Sequence, residues 1–267
     1  MKTAGIIRII IGLVIAVLLT AILVALLTGN NILSRAGING DWVNDVIDRT
    51  VYRSGGVDED SGAVIVSDEA RVSAAGISKI KIDWVAGSIN VRVGTGDEIV
   101  FSESSYRELS DRQRMRYTVS DSGVLQLHYC QDLKNISDWF KLDANMPAKT
   151  LTMEVPASLI GQMDDFVIES VSADIDVSGV YGEKTDLSTV SGGIHCTDVE
   201  NEQLVLSSTS GEIVSESNTT QKLNMDNVSG SIRAVGEYGK VDVETVSGSI
   251  NLAFATMPDD LKAESVS

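Results

Sequence analysis

One short phrase recurs along this chain and limits what the chain can fold into. "ESVSADIDV" begins at Glu169, "STVSGGIHC" at Ser188, "SSTSGEIVS" at Ser207, "DNVSGSIRA" at Asp226 and "ETVSGSINL" at Glu244. A broken copy, "ESVS", closes the sequence. The serine ahead of the glycine falls at Ser172, Ser191, Ser210, Ser229, Ser247 and Ser267, in steps of 19, 19, 19, 18 and 20 residues. A fixed period near 19 marks a stacked repeat architecture. Each copy alternates apolar and polar residues on both sides of its Ser-Gly corner. Phe166/Ile168, Leu187, Leu204/Leu206, Leu223/Met225 and Val241/Val243 precede the corners. Ile175/Val177, Ile194/Cys196, Ile213 and Ile232/Ala234 follow them. A hairpin this short cannot bury its apolar face alone. Copies stacked in register about 4.8 Å apart bury it as continuous columns. The expected fold is therefore all-β, a right- or left-handed parallel β-solenoid of about 19-residue coils.

Strict alternation puts Val241, Val243, Thr245 and Ser247 on one face. The serine column is accordingly expected to point inward at the corner, its hydroxyls bonding to neighbours or turn amides. The valine ahead of each serine (Val171, Val190, Val228, Val246) then faces out, unless a bulge turns it in. The glycine allows a positive φ or a close backbone approach. Ala173 holds its place in the first copy, which favours close approach.

The chain ahead of the repeats divides in three. Ile9 to Leu27 is 19 residues without a charge. As a helix it would be roughly 28 Å long, enough to cross a bilayer's hydrocarbon core. No A-x-A-like cleavage site follows it. Lys2 and Arg8 lie before it, and Asp41, Asp45 and Asp48 beyond. The positive-inside rule then gives a cytoplasmic N-terminus (1–8), a membrane helix (9–28) and an extracytoplasmic remainder, a single-pass protein of the cell membrane. Residues 29–75 read as a tether. From Ile77 the pattern alternates with period two through Ile80, Ile82, Trp84, Ile89, Val91, Val93, Ile99 and Phe101. "VGTGDE" reads as a turn, "RYTVSDSGVLQLHYC" as a hairpin turning at Asp121–Gly123, and "KTLTMEVP" as a strand stopped by Pro156. "WVAGSINV" is a divergent copy of the repeat with Ala86 in the serine's place. Residues 76–160 thus form an N-terminal β region with inserted loops, and 161–267 the repeats. The last copy stops where a glycine should follow, so the array reads as truncated.

Charge and motif content narrow the function. The chain carries 38 acidic and 21 basic residues, a formal net charge of −17. Such a surface repels nucleic acid and anionic lipid. Cys130 and Cys196 are too few for a disulfide framework, and Cys196 occupies the repeat position of Val177, Ser215, Ala234 and Leu252. His128 and His195 are single, without a second histidine at ligand spacing. "GTGDE" precedes a strand rather than a helix, so it fails as a phosphate loop. Asp174, Asp176, Asp198, Glu212 and Glu244 do not recur at one repeat position, and a solvated face accounts for them better than paired glycosidase carboxylates. No catalytic, cofactor or metal residue is expected.

The corner phrases, the strand ending "WVAGSI" and the "LTMEV" stretch before Pro156 together resemble a bacterial family of putative adhesins, a domain of unknown function with repeated T-V-S-G-D-I-like motifs. The resemblance covers about Ile77 to Ser267. It implies a β-solenoid at the cell surface, in some members membrane-anchored and linked to envelope stress, and it carries over no catalytic residue. The expected function is a non-enzymatic, adhesin-like binding module contacting the cell wall, another protein or another copy of itself. The alternatives are a carbohydrate-active enzyme on a β-helix frame and a self-assembling scaffold.

Overall fold

The computed structural model describes residues 64–66, 69–130 and 147–266. The apolar run at 9–28, the tether up to residue 63, Trp139 and Phe140 lie outside them. Among the described residues no helix is long and apolar enough to cross a membrane. The strands join in one 15-stranded sheet. β1 (Val64–Ile65) and β2 (Glu69–Ser73) come first, inside the stretch read as a tether. β3 (Lys79–Gly94), β4 (Glu98–Ser105), β5 (Arg116–Val119), β6 (Val124–His128) and β7 (Lys149–Pro156) follow. The repeats are β8 (Asp165–Ser178), β9 (Lys184–Thr189), β10 (Ile194–Thr197), β11 (Glu200–Ser208), β12 (Ile213–Asn227), β13 (Ile232–Thr245), β14 (Ile250–Phe254) and β15 (Asp260–Ser265).

Every pairing among the repeats is parallel, in the register that the period dictates. Ile175, Ile194, Ile213, Ile232 and Ile250 stack as one column. Val177, Cys196, Ser215, Ala234 and Leu252 form the next, which places Cys196 where its repeat position put it, fully buried. Burial pushes its thiol up to about 12, so it is inert at neutral pH. Cys130 is a buried thiol as well, and the two form no disulfide. Ahead of the corner, Ile168, Leu187, Leu206, Met225 and Val243 stack in the same way. Each coil is thus a leading leg, a tight corner and a trailing leg, with apolar columns inside both legs. The single 18-residue step has a local cause. Glu216 pairs with Val235 and Asn218 with Gly236, so Ser217 has no counterpart in the next coil.

The N-terminal coils do not stack in chain order. β6 pairs in parallel with the leading leg of β3, and β7 with its trailing leg. β8 pairs in parallel along the opposite edge of β3. β3 therefore lies between two coils that both follow it in sequence. β3 and β4 flank the predicted "VGTGDE" turn but do not pair; β4 runs antiparallel to β7 and β2. β5 and β6 form the predicted hairpin, and β1 adds to β5. These antiparallel strands cover the outer edges of β6 and β7, which a bare solenoid end would leave open.

The corner overturns one expectation. Ser172, Ser191, Ser210, Ser229 and Ser247 are exposed, not inward. The inward polar column lies two residues earlier, at Ser170, Thr189, Ser208, Asn227 and Thr245, none more than 6% exposed. Alternation breaks here because two residues, not one, separate the last inward side chain of the leading leg from the corner glycine. The Ser208 hydroxyl accepts from Gly211 N (2.9 Å) in its own corner and donates to Gly192 O (3.1 Å) in the coil before. Thr189 repeats this with Gly192 N (3.2 Å) and Ala173 O (3.3 Å). Asn227 donates its amide to Gly211 O at 2.7 Å. The exposed serines bond on the outside, Ser191 to Val171 O (3.4 Å) and Ser210 to Val190 O (3.3 Å). The valines between are half-buried. The glycines are there for close approach, as Ala173 indicated. A Cβ on Gly192, Gly211, Gly230 or Gly248 would collide with the corner carbonyl of the preceding coil, and none of the four has a positive φ.

Where β3, β4 and β7 meet, Lys149 is fully buried. Its ammonium lies 2.6 Å from Glu103 and donates to Gln113 O (2.9 Å) and Tyr129 O. It sits 4.9 Å from the Trp84 ring centroid and 4.0 Å from that of Tyr129. Burial lowers its pKa, with Glu103 opposing the shift. Removing either partner would strand a charge in the core.

Candidate functional site

The outer face of the leading legs carries a charged cluster. Lys81 Nζ lies 3.3 Å from Asp83 and 3.1 Å from Glu169. Gln126 donates to Asp83 at 2.8 Å, and His128 Nδ1 is 3.6 Å from the same carboxylate. Burial raises the Glu169 carboxyl and lowers the His128 imidazole. A carboxyl raised by burial beside a second carboxylate is one ingredient of a glycosidase site. Here the lysine ammonium occupies the space between the two carboxylates, and the arrangement is an ion-pair network on a sheet face.

The trailing legs carry the acids singled out in the sequence. Asp174 and Asp176 both face outward and are exposed. Asp174 accepts the Gly193 amide at 2.8 Å, closing the corner of the next coil. Asp176 lies 3.5 Å from His195, His195 is 3.9 Å from Glu216, and Glu216 pairs with Arg233. Glu212 accepts from Ser231 at 2.9 Å. Glu244 is buried, 4% exposed, against the Lys262 ammonium of the next coil. Asp198 has φ 57° at a turn. The candidate carboxylates are thus spread over ladder, cap and turn positions. Among the described residues no group of three or more His, Cys, Asp or Glu could hold a metal ion.

The concave feature lies elsewhere, on the turns that join each trailing leg to the next leading leg. Gly179, Asp198 and Ser217 occupy equivalent places there with φ of 68°, 57° and 55°. This left-handed bend, costly for residues with a Cβ, sets the turn outward from the legs. A groove of about 510 Å³ runs across Gly161–Asp164, Tyr181–Glu183, Glu200–Glu202 and Thr219–Gln221. A second lobe of about 220 Å³ shares Thr219–Gln221 and continues past Glu237–Gly239 to Asp259. Beneath it Asn218, 1% exposed, accepts from Val199 N and donates to Cys196 O and Ser215 Oγ, each at 2.8 Å. Tyr238 bonds to Ser215 at 3.0 Å, and burial pushes its phenol up to about 12. This satisfied network fixes the groove floor. The sequence reading missed the groove because its lining varies from coil to coil: Tyr181, Glu200, Thr219 and Glu237 share a place without sharing a chemistry. The one available signal was the spacing of polar triplets at 181–183, 200–202, 219–221 and 237–239.

Comparison with known proteins places the chain. No curated protein matches it. A crystal structure of a putative cell adhesion protein from Clostridium sporogenes is similar at 13% identity and a TM-score of 0.34, covering 70% of this chain and 98% of that one. A putative adhesin from Bacteroides fragilis is similar at 11% identity and a TM-score of 0.33, covering 77% of this chain and 100% of that one. The family model described as Toastrack DUF4097 matches residues 77–267, the whole span from the first alternating strand through the last repeat. The chain belongs to the Toastrack DUF4097 family, a putative-adhesin domain of unknown function.

Proposed function

We propose that this chain is a membrane-anchored, extracytoplasmic binding module of the bacterial cell envelope, adhesin-like and non-enzymatic, with a link to envelope stress. The observation that carries the reading is the polar groove, which follows the repeats from coil to coil as one extended surface. An extended groove suits a long partner rather than a small substrate. The outward acids of the legs are engaged in ion pairs and caps, which leaves them poorly placed for acid–base chemistry. The uncharged run at 9–28 supports the anchor, and membership of a putative-adhesin family agrees with a surface role.

Two measurements test this. A reporter active only outside the cytoplasm, fused after Ser267, should be active; activity of a cytoplasmic reporter alone would reverse the topology. The purified full-length chain in neutral detergent should be retained on isolated cell envelopes. Absence of retention, or turnover of envelope polysaccharide, would overturn the binding-module reading.

A further inference from the structure

We infer that the groove takes a linear glycan carrying free amines, a polymer of amino sugars. This rests on the binding-module reading and names the ligand of its groove. Six carboxylates line the two lobes, those of Asp164, Glu183, Glu200, Glu202, Glu237 and Asp259, with no Lys, Arg or His among the lining residues. On the legs, acids meet cations coil by coil: Asp165 with Lys79, Glu154 with Arg92, Glu216 with Arg233. Among the described residues none of the six groove carboxylates has an ion-pair partner. A ligand bringing positive charge meets an attractive field there, and an anionic polymer meets a barrier.

Charge alone would fit any polycation. The floor and the edge select a sugar. Thr220, 3% exposed, lines both lobes, and its hydroxyl has no hydrogen-bond partner. Asn201 pairs with Thr220 in register, and its Oδ1 is also without a partner. Buried polar atoms left unpaired are costly. A small rotation of either side chain toward the groove would let a ligand hydroxyl give and accept there. Tyr181 lies at the groove edge with its ring against Gly161, where an added Cβ would come within 3.3 Å of it. A braced ring offers a flat apolar surface to the C–H face of a sugar, beside a polar tip. The groove crosses the turns of six coils, five steps of about 4.8 Å or roughly 24 Å in all, so the polymer runs along the solenoid axis.

The test is calorimetric titration of the full-length chain in neutral detergent at low salt. The probes are a glucosamine hexamer and its fully N-acetylated counterpart. The glucosamine hexamer should bind, and the acetylated one at least 10-fold more weakly. Glu200→Gln/Glu202→Gln should weaken binding at least 10-fold and Thr220→Val several-fold. Asp174→Asn/Asp176→Asn removes the same charge from another face and should leave binding within twofold. Equal weakening by the two double variants would mean diffuse attraction and overturn the assignment. So would equal affinity for the acetylated hexamer. If neither hexamer binds while the chain is still retained on envelopes, the ligand is wrong and the module stands; loss of both removes the module reading as well.

Discussion

Ser208→Ala is the sharpest probe of the corner. The substitution deletes one oxygen and two hydrogen bonds, from Gly211 N at 2.9 Å and to Gly192 O at 3.1 Å. Ser208 is 6% exposed, so water does not readily replace them. Each bond contributes about 1 kcal/mol net, and stranding a buried donor or acceptor costs about 1–3 kcal/mol. A total loss of about 2–4 kcal/mol follows. Thr189→Val removes the same pair of bonds one coil earlier at nearly constant shape and should cost a similar amount. Ser210→Ala is the control. It is two residues on, exposed, and loses one bond to Val190 O, so about 0.5 kcal/mol or less is expected. Equilibrium urea unfolding of the full-length chain, followed by the emission of the buried Trp84, reads these differences. With a urea slope of about 1–3 kcal/mol/M, Ser208→Ala should lower the midpoint by roughly 1 M or more while Ser210→Ala barely moves it. Matching midpoints for Ser208→Ala and Ser210→Ala would refute the assignment of the inward column.

Gly211→Ala drives a Cβ into the backbone carbonyl of Gly192, which no rotamer change relieves; a loss of about 2–4 kcal/mol should appear in the same melts, and a neutral result would show that the corner spacing is slack. Ile194→Asp places a carboxylate between Ile175 and Ile213 and should cost about 3 kcal/mol or more, against under about 0.5 kcal/mol for Asp174→Asn, which keeps its acceptor for Gly193; comparable losses would invert the inside–outside assignment. His128 is lowered from 6.5 by burial, so its contribution is present above that value and is lost as the pH falls through its lowered folded pKa, whereas the raised Glu169 contributes below 4.5 and loses its effect as the pH rises. His128→Gln should therefore flatten the acid-side fall in urea midpoint between pH 7.5 and 5.5; an unchanged slope would refute the argument.

The apolar columns were legible because stacking in register turns spatial neighbours into residues 19 apart, and Ile175, Ile194 and Ile213 obey that rule. The corner was not, because alternation carried past Thr245 puts Ser247 inside, while the two-residue step to Gly248 turns it out. The burial of Glu244 depends on Lys262, a coil away, and no local pattern marks it. The stacking of β3 was hidden for a related reason. Lys79 lies beside Asp165 on one edge and Val124 on the other, at separations unrelated to the period. The groove was hidden because turn residues bear no packing constraint that would make them repeat.

The place of β3 also governs how such a chain can lengthen. From β8 onward each coil contacts only the one before and the one after, and its corner bonds reach back a single step. A 19-residue segment could be duplicated or deleted there, and the array would close up around the change with every column intact. Ahead of β8 no such freedom exists. An insertion between β3 and β6 would have to preserve both edges of β3 at once, because later chain fills each of them. The N-terminal block is therefore a fixed foundation, and variation in reach among chains built on this plan belongs to the other end.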